Sequence, residues 1–365
     1  LHAERFCATT DAFNFTARTM SSRRMHAAVF DAPGPPEVVE YREVDVPSPG
    51  QGEVLIQVGA AAMNHLDLWV RRGLPIETTM PHIGGSDVAG IVVEAGDETA
   101  RTLLGTRVVV NPGLSCGTCR ECVFGQQSLC PDFRILGEHT DGGFADFVVA
   151  PIANLHLIPD HVSFETAATL PVSYSTAWRA LISRARVRAG EDVLVIGASG
   201  GTAIAAIQIA KLAGARVFAV TSGAHNVRRV KELGAEVVYD RLEVDFARAL
   251  HADTRRRGVD IVVENVGTPT WESSIRSLAP GGRLVTYGAT AGPAAEIDLR
   301  RLFWRQLEII GTTMSSNGEF AAMLRVAFSG ALSPVIDEIL PLSQAPAAHS
   351  RLETGTHFGK LILVP

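Results

Sequence analysis

The stretch VLVIGASGGTAIAAIQIAKLAGARVFAVT, residues 193–221, decides how this chain folds. It has the pattern of an apolar strand, a glycine turn, a helix of small and apolar residues, and a second apolar strand. That order is typical of a βαβ unit, in which a helix joins two parallel strands. Downstream the pattern repeats, with strands predicted at 236–239, 260–264, 283–287 and 308–310 and helices at 225–233 and 269–279. The alternation predicts an α/β fold with a doubly wound parallel sheet.

The glycine turn inside this unit predicts a dinucleotide site. Gly200 and Gly201 allow the backbone to approach a pyrophosphate, and Ser199 and Thr202 flank them. Unpaired N–H groups and the dipole at the start of the helix favour the negative charge of that group. A glycine pair alone is often only a tight turn, but strand, turn, helix and strand in this order favour the binding function.

Three later segments are predicted to border the cofactor, because ligands of such sheets bind beyond the carboxyl ends of the strands. They are residues 266–268, 287–290 and 312–316, which include Val266 and Gly288. The alternative for each of these three segments is a loop that contacts no ligand.

The residues after the second strand of this unit, at 221–229, help to distinguish an NAD site from an NADP site. An NAD site usually places an acidic residue there for the ribose 2′-hydroxyl, but the chain has TSGAHNVRR at 221–229. Ser222, His225 and a guanidinium from Arg228 or Arg229 suit a 2′-phosphate, which favours NADP over NAD. A solvated helix face is the alternative for the two arginines.

Four of the five cysteines lie in SCGTCRECVFGQQSLC, residues 115–130: Cys116, Cys119, Cys122 and Cys130. Four thiolates so close together suit a tetrahedral zinc ion and leave no open coordination position. Two disulfides are the alternative, but close thiols in a chain with no sign of secretion more often bind metal. The sequence therefore predicts one structural zinc in a lobe at 111–135, and no catalysis there.

Composition limits the remaining function classes. The chain has 365 residues, which predicts more than one domain, and a net charge of −6 without a long basic block, which argues against a nucleic-acid partner. No apolar run approaches the roughly 20 residues of a membrane span, so a cytoplasmic location is expected. Residues 1–24, with the lone thiol Cys7, are interpreted as a disordered tail.

The motifs NHLDLW, GGSDVAG, VNPGLSCG, DGGFADFVV and FGKLIL, together with the cysteine cluster and the glycine turn, resemble the medium-chain dehydrogenase/reductase superfamily. The chain is most similar to its zinc-lobe-bearing alcohol dehydrogenase-like and quinone oxidoreductase-like members. The resemblance implies a GroES-like β-rich catalytic domain at 25–170, a Rossmann domain at 171–312 and a return to the catalytic domain at 313–365. It also implies a homodimer and an active-site cleft between the domains.

Zinc alcohol dehydrogenases of this superfamily hold a second, catalytic zinc, and this chain departs from them. Asn64, Ser86 and Val172 stand at or next to the three ligand positions, and none offers the thiolate or imidazole that zinc requires. His65, Asp67 and Asp87 remain nearby, and an improvised metal site built from them is the minor alternative.

The resemblance also implies roles for individual side chains. Asn64 is expected to donate a hydrogen bond to the substrate oxygen or the cofactor, with a structural amide as the alternative, while His65 and Asp67 complete the catalytic group. Thr176 is expected beside the nicotinamide, and Lys360 is expected as a cation facing the cleft or the cofactor. Trp69 either lines the substrate pocket or packs in the core.

Without a catalytic metal, hydride transfer to an activated C=C bond or to a quinone becomes the favoured chemistry, since ordinary hydrogen-bond donors can stabilise the oxygen that results. The sequence therefore predicts an NADPH-dependent oxidoreductase for quinones or α,β-unsaturated carbonyl compounds. An alcohol dehydrogenase with an irregular zinc site and a non-catalytic nucleotide-binding protein are the alternatives.

Overall fold

The computed structural model describes residues 23–75 and 78–365. The predicted tail at 1–24 lies outside these residues except for its last two, and Arg24 already belongs to the first strand. Within the described part of the chain, no helix is long and apolar enough to cross a bilayer.

The N-terminal part of the chain is rich in short strands. Its strands are β1 (Arg24–Phe30), β2 (Glu40–Asp45), β3 (Glu53–Ala62), β4 (His82–Ile83), β5 (Asp87–Ala95), β6 (Arg107–Val110), β7 (Gly113–Leu114), β8 (Arg134–Ile135), β9 (Phe147–Pro151) and β10 (Leu155–Leu157). Its helices are α1 (His65–Arg72), α2 (Arg120–Val123), α3 (Phe164–Ala168) and α4 (Pro171–Trp178).

The middle of the chain alternates strands and helices. In order these are β11 (Asp192–Ile196), α5 (Gly201–Leu212), β12 (Arg216–Thr221), α6 (Ala224–Glu232), β13 (Val237–Asp240), α7 (Phe246–Asp253), β14 (Val259–Glu264), α8 (Thr268–Ser277), β15 (Leu278–Thr286), α9 (Leu299–Trp304) and β16 (Glu308–Gly311). The chain then continues through α10 (Asn317–Phe328), β17 (Ile336–Pro341), α11 (Ala345–Thr354) and β18 (Lys360–Val364).

The parallel sheet confirms the predicted fold class. Its strand order is β13-β12-β11-β14-β15-β16, and every pairing is parallel. Successive residues of β11 face opposite sides: Val193 and Val195 join the core that contains α5, while Leu194 and Ile196 join the core that contains α7. Because both faces are covered by helices, the strand is a continuous apolar run. The order of strands reverses between β11 and β14, where such sheets bind their ligands.

The second sheet draws on both ends of the chain. Its order is β10-β6-β5-β3-β18-β17, with β9 also paired to β3. Near the end of β3, Ala62 lies opposite both Asp87 of β5 and Ile362 of β18. Because of this register, the end of β3 and the starts of β5 and β18, which are far apart in sequence, lie next to one another beside the parallel sheet.

Candidate active site

A cavity of about 320 Å³ lies where the two sheets meet. The start of α1, the start of α5, the loops after β14 and β15, and the start of β18 all contribute to its wall. The glycine turn contacts the residue before β18 through a single parallel β-bridge between Gly200 and Gly359. In this contact the Gly359 N–H donates to Ser199 O at 2.9 Å. The cavity therefore sits at the carboxyl edge of the parallel sheet, where the sequence predicted the ligand.

The glycine turn fits a dinucleotide. Gly200 is the N-cap of α5 and provides no side-chain cap, so the first N–H groups of this twelve-residue helix remain open to an anion. Gly201 and Thr202 line the cavity. A Cβ at Gly201 would lie 2.7 Å from Lys360 Cδ, so only glycine allows the two segments to approach this closely.

The loops after the parallel strands lie largely as predicted. Gly288 and Thr290 line the cavity, as do Thr313 and Met314. Val266 does not line it, and its neighbour Asn265 does so instead. The Oδ1 atom of Asn265 is buried, and none of the residues that the structure describes forms a hydrogen bond with it.

The two arginines predicted near a 2′-phosphate, Arg228 and Arg229, lie on α6 in different surroundings. The guanidinium of Arg229 lies 3.9 Å from the ring centroid of Phe358 and 3.7 Å from Asp337. It therefore forms an ion pair and a cation–π contact within the protein. His225 and Arg228 are exposed on α6.

The structure identifies a different guanidinium beside Ser222. Arg241 directly follows β13, and its Nε donates to Ser222 Oγ at 2.7 Å. The sequence reasoning missed this residue, although counting the parallel register would have found it: Thr221 pairs with Asp240, so Ser222 and Arg241 follow as neighbours.

Asn64, Asp87 and Lys360 form a buried network where the superfamily's catalytic zinc ligands would lie. Lys360 Nζ donates to Asn64 Oδ1 at 2.6 Å and to Asp87 Oδ2 at 2.9 Å. Asn64 Nδ2 also donates to Asp87 Oδ2 at 2.9 Å, and the Val172 N–H donates to Asp87 Oδ1 at 2.7 Å. Both oxygens of Asp87 are thus occupied, and a lysine cation neutralises its charge. These donors do not fit a zinc ion.

The network changes the expected role of Asn64. Its amide N–H groups point to Asp87 and, at 3.4 Å, to Ala62 O. No donor remains free for a substrate oxygen, so the alternative of a structural amide describes Asn64 better. Lys360 uses two of its three N–H groups within the network and lines the cavity, which leaves the third available to a ligand.

Asp67 supports Asn64 from outside the cavity. Its Oδ2 accepts the Asn64 N–H at 2.6 Å, as the N3 residue of a capping box at the start of α1. Its Oδ1 separately accepts the Gly85 N–H at 3.2 Å. Burial raises the pKa of Asp67 to about 7, against the lowering effect of these hydrogen bonds. Asp67 orients the backbone around the site and does not line the cavity.

Two histidines line the cavity, with ring centroids 6.1 Å apart: His65 and His357. Burial lowers the pKa of His65, and it lowers the pKa of His357 to about 4. Both rings are therefore neutral near pH 7. The predicted residues Thr176 and Trp69 also line the cavity.

Glu138 and Tyr287 line the same cavity; Tyr287 lies in the predicted segment 287–290, whereas the sequence reasoning missed Glu138. Each carries a buried oxygen without a hydrogen-bond partner. A carboxylate within a glycine-containing turn gives no local sign of burial, because the burial results from the packing of that turn against β4 and β5.

The four clustered cysteines are free thiols whose sulfur atoms all lie within 4.8 Å of one another. Cys116 Sγ is 3.9 Å from Cys122 Sγ and 3.6 Å from Cys130 Sγ. Four-coordinate zinc with bonds of about 2.3 Å requires sulfur separations of roughly 3.8 Å. The geometry fits a closed zinc site and not two disulfides.

Family comparisons cover both halves of the chain. An alcohol dehydrogenase GroES-like domain model matches residues 50–160, and a zinc-binding dehydrogenase model matches residues 201–329. Among curated proteins, an alcohol dehydrogenase of Schizosaccharomyces pombe is 32% identical over 92% of this chain and 97% of its own length. A quinone oxidoreductase of Homo sapiens is 30% identical over 91% of this chain and 95% of its own length. An acryloyl-coenzyme A reductase of Metallosphaera sedula is 30% identical over 89% of this chain and 96% of its own length.

Solved structures of dehydrogenases and reductases also superimpose on this chain. An NAD-dependent alcohol dehydrogenase superimposes with a TM-score of 0.89 at 42% identity, covering 93% of this chain and 100% of that one. A crotonyl-CoA carboxylase/reductase, AntE, in complex with NADP superimposes with a TM-score of 0.86 at 28% identity, covering 93% of this chain and 94% of that one.

Proposed function

Because the chain belongs to the medium-chain dehydrogenase/reductase superfamily and is an NAD(P)-dependent oxidoreductase, we propose that it transfers hydride from NADPH to an α,β-unsaturated carbonyl compound or a quinone. In this proposal the cavity works without a catalytic zinc. Relatives named for acryloyl-coenzyme A and a neighbour named for crotonyl-CoA favour enoyl thioesters within the first class.

The observation that carries the proposal is the Lys360–Asp87–Asn64 network. Metal-dependent alcohol oxidation needs a Lewis acid with an open coordination position beside the nicotinamide. Here a lysine ammonium, 4% exposed, donates to Asn64, the residue at one of the superfamily's zinc-ligand positions, and is already balanced by Asp87. Such a group can stabilise an enolate or quinol oxygen through a hydrogen bond, but it offers no coordination position for an alkoxide.

Each part of the cavity has a task in this reaction. When bound, the nicotinamide supplies the hydride. The open N-terminus of α5 would hold the pyrophosphate, and Thr176 would contact the nicotinamide. The third N–H of Lys360 would donate to the oxygen on which negative charge develops. The neutral rings of His65 and His357 form part of the wall that limits water around the reacting atoms.

NADPH is favoured over NADH by the group at the end of β12. Ser222 and Arg241 form a hydroxyl and guanidinium pair next to the position at which NAD sites usually have an acidic residue. A guanidinium binds a phosphate through charge-assisted hydrogen bonds, whereas it gains little from a ribose hydroxyl.

Two structural features complete the proposal. The Cys116–Cys119–Cys122–Cys130 cluster would hold one structural zinc, which stabilises its lobe and takes no part in hydride transfer. The protein would also form a homodimer through the open edge of the parallel sheet at β16, next to which Phe303 and Trp304 are 67% and 81% exposed.

A substrate panel tests the activity. The purified protein would be assayed with NADPH or NADH against crotonyl-CoA, an enone and 1,4-naphthoquinone, and with NADP⁺ against primary and secondary alcohols. We expect kcat/KM for an enoyl or quinone acceptor to exceed that for any alcohol by at least about 100-fold, which corresponds to about 2.7 kcal/mol of transition-state stabilisation. Zinc would be measured in the same sample, and one ion per chain is expected.

Two results would overturn the proposal. Alcohol oxidation that depends on a second zinc ion and is abolished by a chelator would indicate an alcohol dehydrogenase. Tight NADPH binding without oxidation across the whole panel would remove enone and quinone reduction as the activity.

A further inference from the structure

One carboxyl oxygen of Glu138 is buried at the active-site cavity, and within 23–75 and 78–365 no residue forms a hydrogen bond with it. The residue is 8% exposed, and its Oε2 is buried and unpartnered. The nearest ionisable neighbour, His139, places Nδ1 3.7 Å from Oε2. That nitrogen accepts the Ile135 N–H at 3.2 Å, so its lone pair is used and it has no proton to donate to Glu138.

The turn that carries Glu138 is firmly held. Gly137 has φ of +78°, and a Cβ there would lie 2.5 Å from the backbone of Gly85, so the turn packs directly on the segment before β5. His82 Nε2 lies 3.2 Å from Gly137 O, and the Glu138 N–H donates to Ile135 O at 3.1 Å. The backbone of the turn is therefore fixed, and Glu138 extends into the cavity from a rigid support.

A carboxylate buried without partners is unfavourable, because its charge loses hydration and gains nothing in return. Burial accordingly raises the pKa of Glu138 to about 7, with no compensating contribution from a neighbouring charge. A residue with a purely structural role at this depth would be hydrogen-bonded. The group is instead a carboxylic acid that holds a proton near neutral pH in the reaction chamber.

We propose that Glu138 is the general acid of the reaction and delivers a proton to the α-carbon of the substrate. This inference rests on the proposed reduction of an α,β-unsaturated carbonyl compound. Hydride from NADPH forms the C–H bond at the β-carbon, the C=C π pair moves into the enolate, and NADP⁺ is left. The O–H bond of Glu138 then breaks as the C–H bond at the α-carbon forms, and the carboxylate regains a proton from water.

Other ionisable groups at the cavity do not suit this step. His65 and His357 are neutral, and neutral imidazole is a very weak acid. Burial raises the pKa of Tyr287, and Lys360 is held in its ion pair with Asp87. The charged or titratable groups near Glu138 come from four places. They are His139 and Asp141 in the same segment, His82 of β4, whose Nε2 lies 3.2 Å from Gly137 O, the exposed Arg134 on β8, and, across the cavity, His65, His357, Tyr287 and Lys360.

The test compares Glu138→Gln with the unaltered protein, using a substrate whose α-carbon becomes chiral. Reduction of tiglyl-CoA, a 2-methyl-2-enoyl thioester, gives 2-methylbutyryl-CoA, whose enantiomers chiral chromatography separates after hydrolysis. The unaltered protein is expected to give one enantiomer. In the glutamine variant the rate should fall by about 100-fold or more, and the product should approach a mixture of enantiomers, because water then protonates the enolate.

Controls separate this inference from the proposed function. Glu98→Gln, at an exposed site, should leave the rate and the enantiomer ratio unchanged. The glutamine variant should bind NADPH as tightly as the unaltered protein and should still reduce 1,4-naphthoquinone, whose oxygens exchange protons with water. If the unaltered protein reduces no enoyl thioester, the proposed function fails. If it does, and Glu138→Gln keeps both rate and enantiomeric purity, the assignment of Glu138 fails.

The unaltered protein provides an independent readout should the variant not fold. Its kcat for tiglyl-CoA should fall as pH rises through about 7, because the acid form is lost, and kcat for the quinone should show no such fall. A rate for tiglyl-CoA that is independent of pH from 6 to 9 would contradict the assignment.

Discussion

Asp87 and Lys360 form an ion pair that is almost completely removed from water, with the two residues 0% and 4% exposed. Removing two charges from water is costly, and the pair is tolerable only when the remaining hydrogen-bonding positions are filled. On Asp87 the Val172 N–H and the Asn64 amide donate hydrogen bonds to the carboxylate oxygens and so satisfy these positions. In the proposed reaction, Lys360 would supply the positive charge that zinc supplies in the superfamily's zinc alcohol dehydrogenases.

Arg241 is the residue on which cofactor preference should depend. Arg241→Ala removes the guanidinium that lies 2.7 Å from Ser222 Oγ. We expect the Kd for NADPH to rise by roughly 10- to 100-fold, in line with the loss of charge-assisted hydrogen bonds worth about 1.5–3 kcal/mol. The Kd for NADH should change by less than about twofold, since NADH has no 2′-phosphate to lose a contact. Titration of the intrinsic fluorescence of the reduced cofactor measures both.

Arg228→Ala is the matched control, because it removes an exposed guanidinium from the neighbouring helix α6. It should leave both dissociation constants near those of the unaltered protein. An equal loss of NADPH and NADH affinity in Arg241→Ala would show that the residue acts on the fold and not on the phosphate.

At the scale of elements, local patterns predicted most of the parallel sheet. The strands β13, β14 and β16 begin and end within one residue of their predicted bounds, because each is a short apolar run between turns. The strand β15 begins earlier than predicted, at Leu278, because Ala279, Pro280 and the following glycines continue the strand without an apolar pattern. Proline and glycine normally indicate a strand end, so nothing local marked this extension.

The site was less predictable than the sheet, because it is built from contacts between distant segments. Asn64 and Lys360 could be placed at the cleft only through the resemblance, and nothing local joins Lys360 to Asp87, 273 residues earlier in the chain. Arg241 and Glu138 were missed for the same reason. Their roles depend on strand register and on turn packing, which periodicity does not encode.

The cysteine lobe is an element whose stability should depend on metal. It contacts Arg179, which donates to Gln126 Oε1 at 3.3 Å, and the start of α10, where the Asn317 N–H donates to Gln127 Oε1 at 3.2 Å. Cys119→Ser should lose the zinc ion and lower the Tm by a few degrees, since each kcal/mol shifts the Tm by at most about 2–4 °C in a chain longer than 250 residues. Metal analysis and calorimetry measure the two effects.

Val123→Ala is the control for the lobe, because Val123 lies on the same short helix α2 and is 72% exposed. It should keep one zinc ion and an unchanged Tm. Hydride transfer by Cys119→Ser at low temperature should stay close to that of the unaltered protein. A variant that keeps its zinc ion would show that the metal is bound elsewhere.

At the scale of the whole molecule, the parallel sheet has two open edges with different surfaces. The edge at β16 is next to α9, on which Leu299, Phe303 and Trp304 are 64%, 67% and 81% exposed. Open edges and apolar patches favour association, and a two-fold axis allows one edge to pair with its own copy. Two β16 strands that pair in this way would join the sheets of both protomers and leave each active-site cavity formed by a single chain.

Trp304→Glu tests this assembly. The charge would be buried at the centre of the apolar contact, so we expect the variant to elute as a monomer at micromolar concentration while the unaltered protein elutes as a dimer. Light scattering coupled to size-exclusion chromatography measures both masses. Leu242→Glu, at a 66% exposed site after β13 on the opposite edge, should remain a dimer. Since the cavity lies within one chain, the monomeric Trp304→Glu variant should keep its cofactor affinity. If instead Trp304→Glu remains a dimer and Leu242→Glu dissociates, the interface lies at the β13 edge.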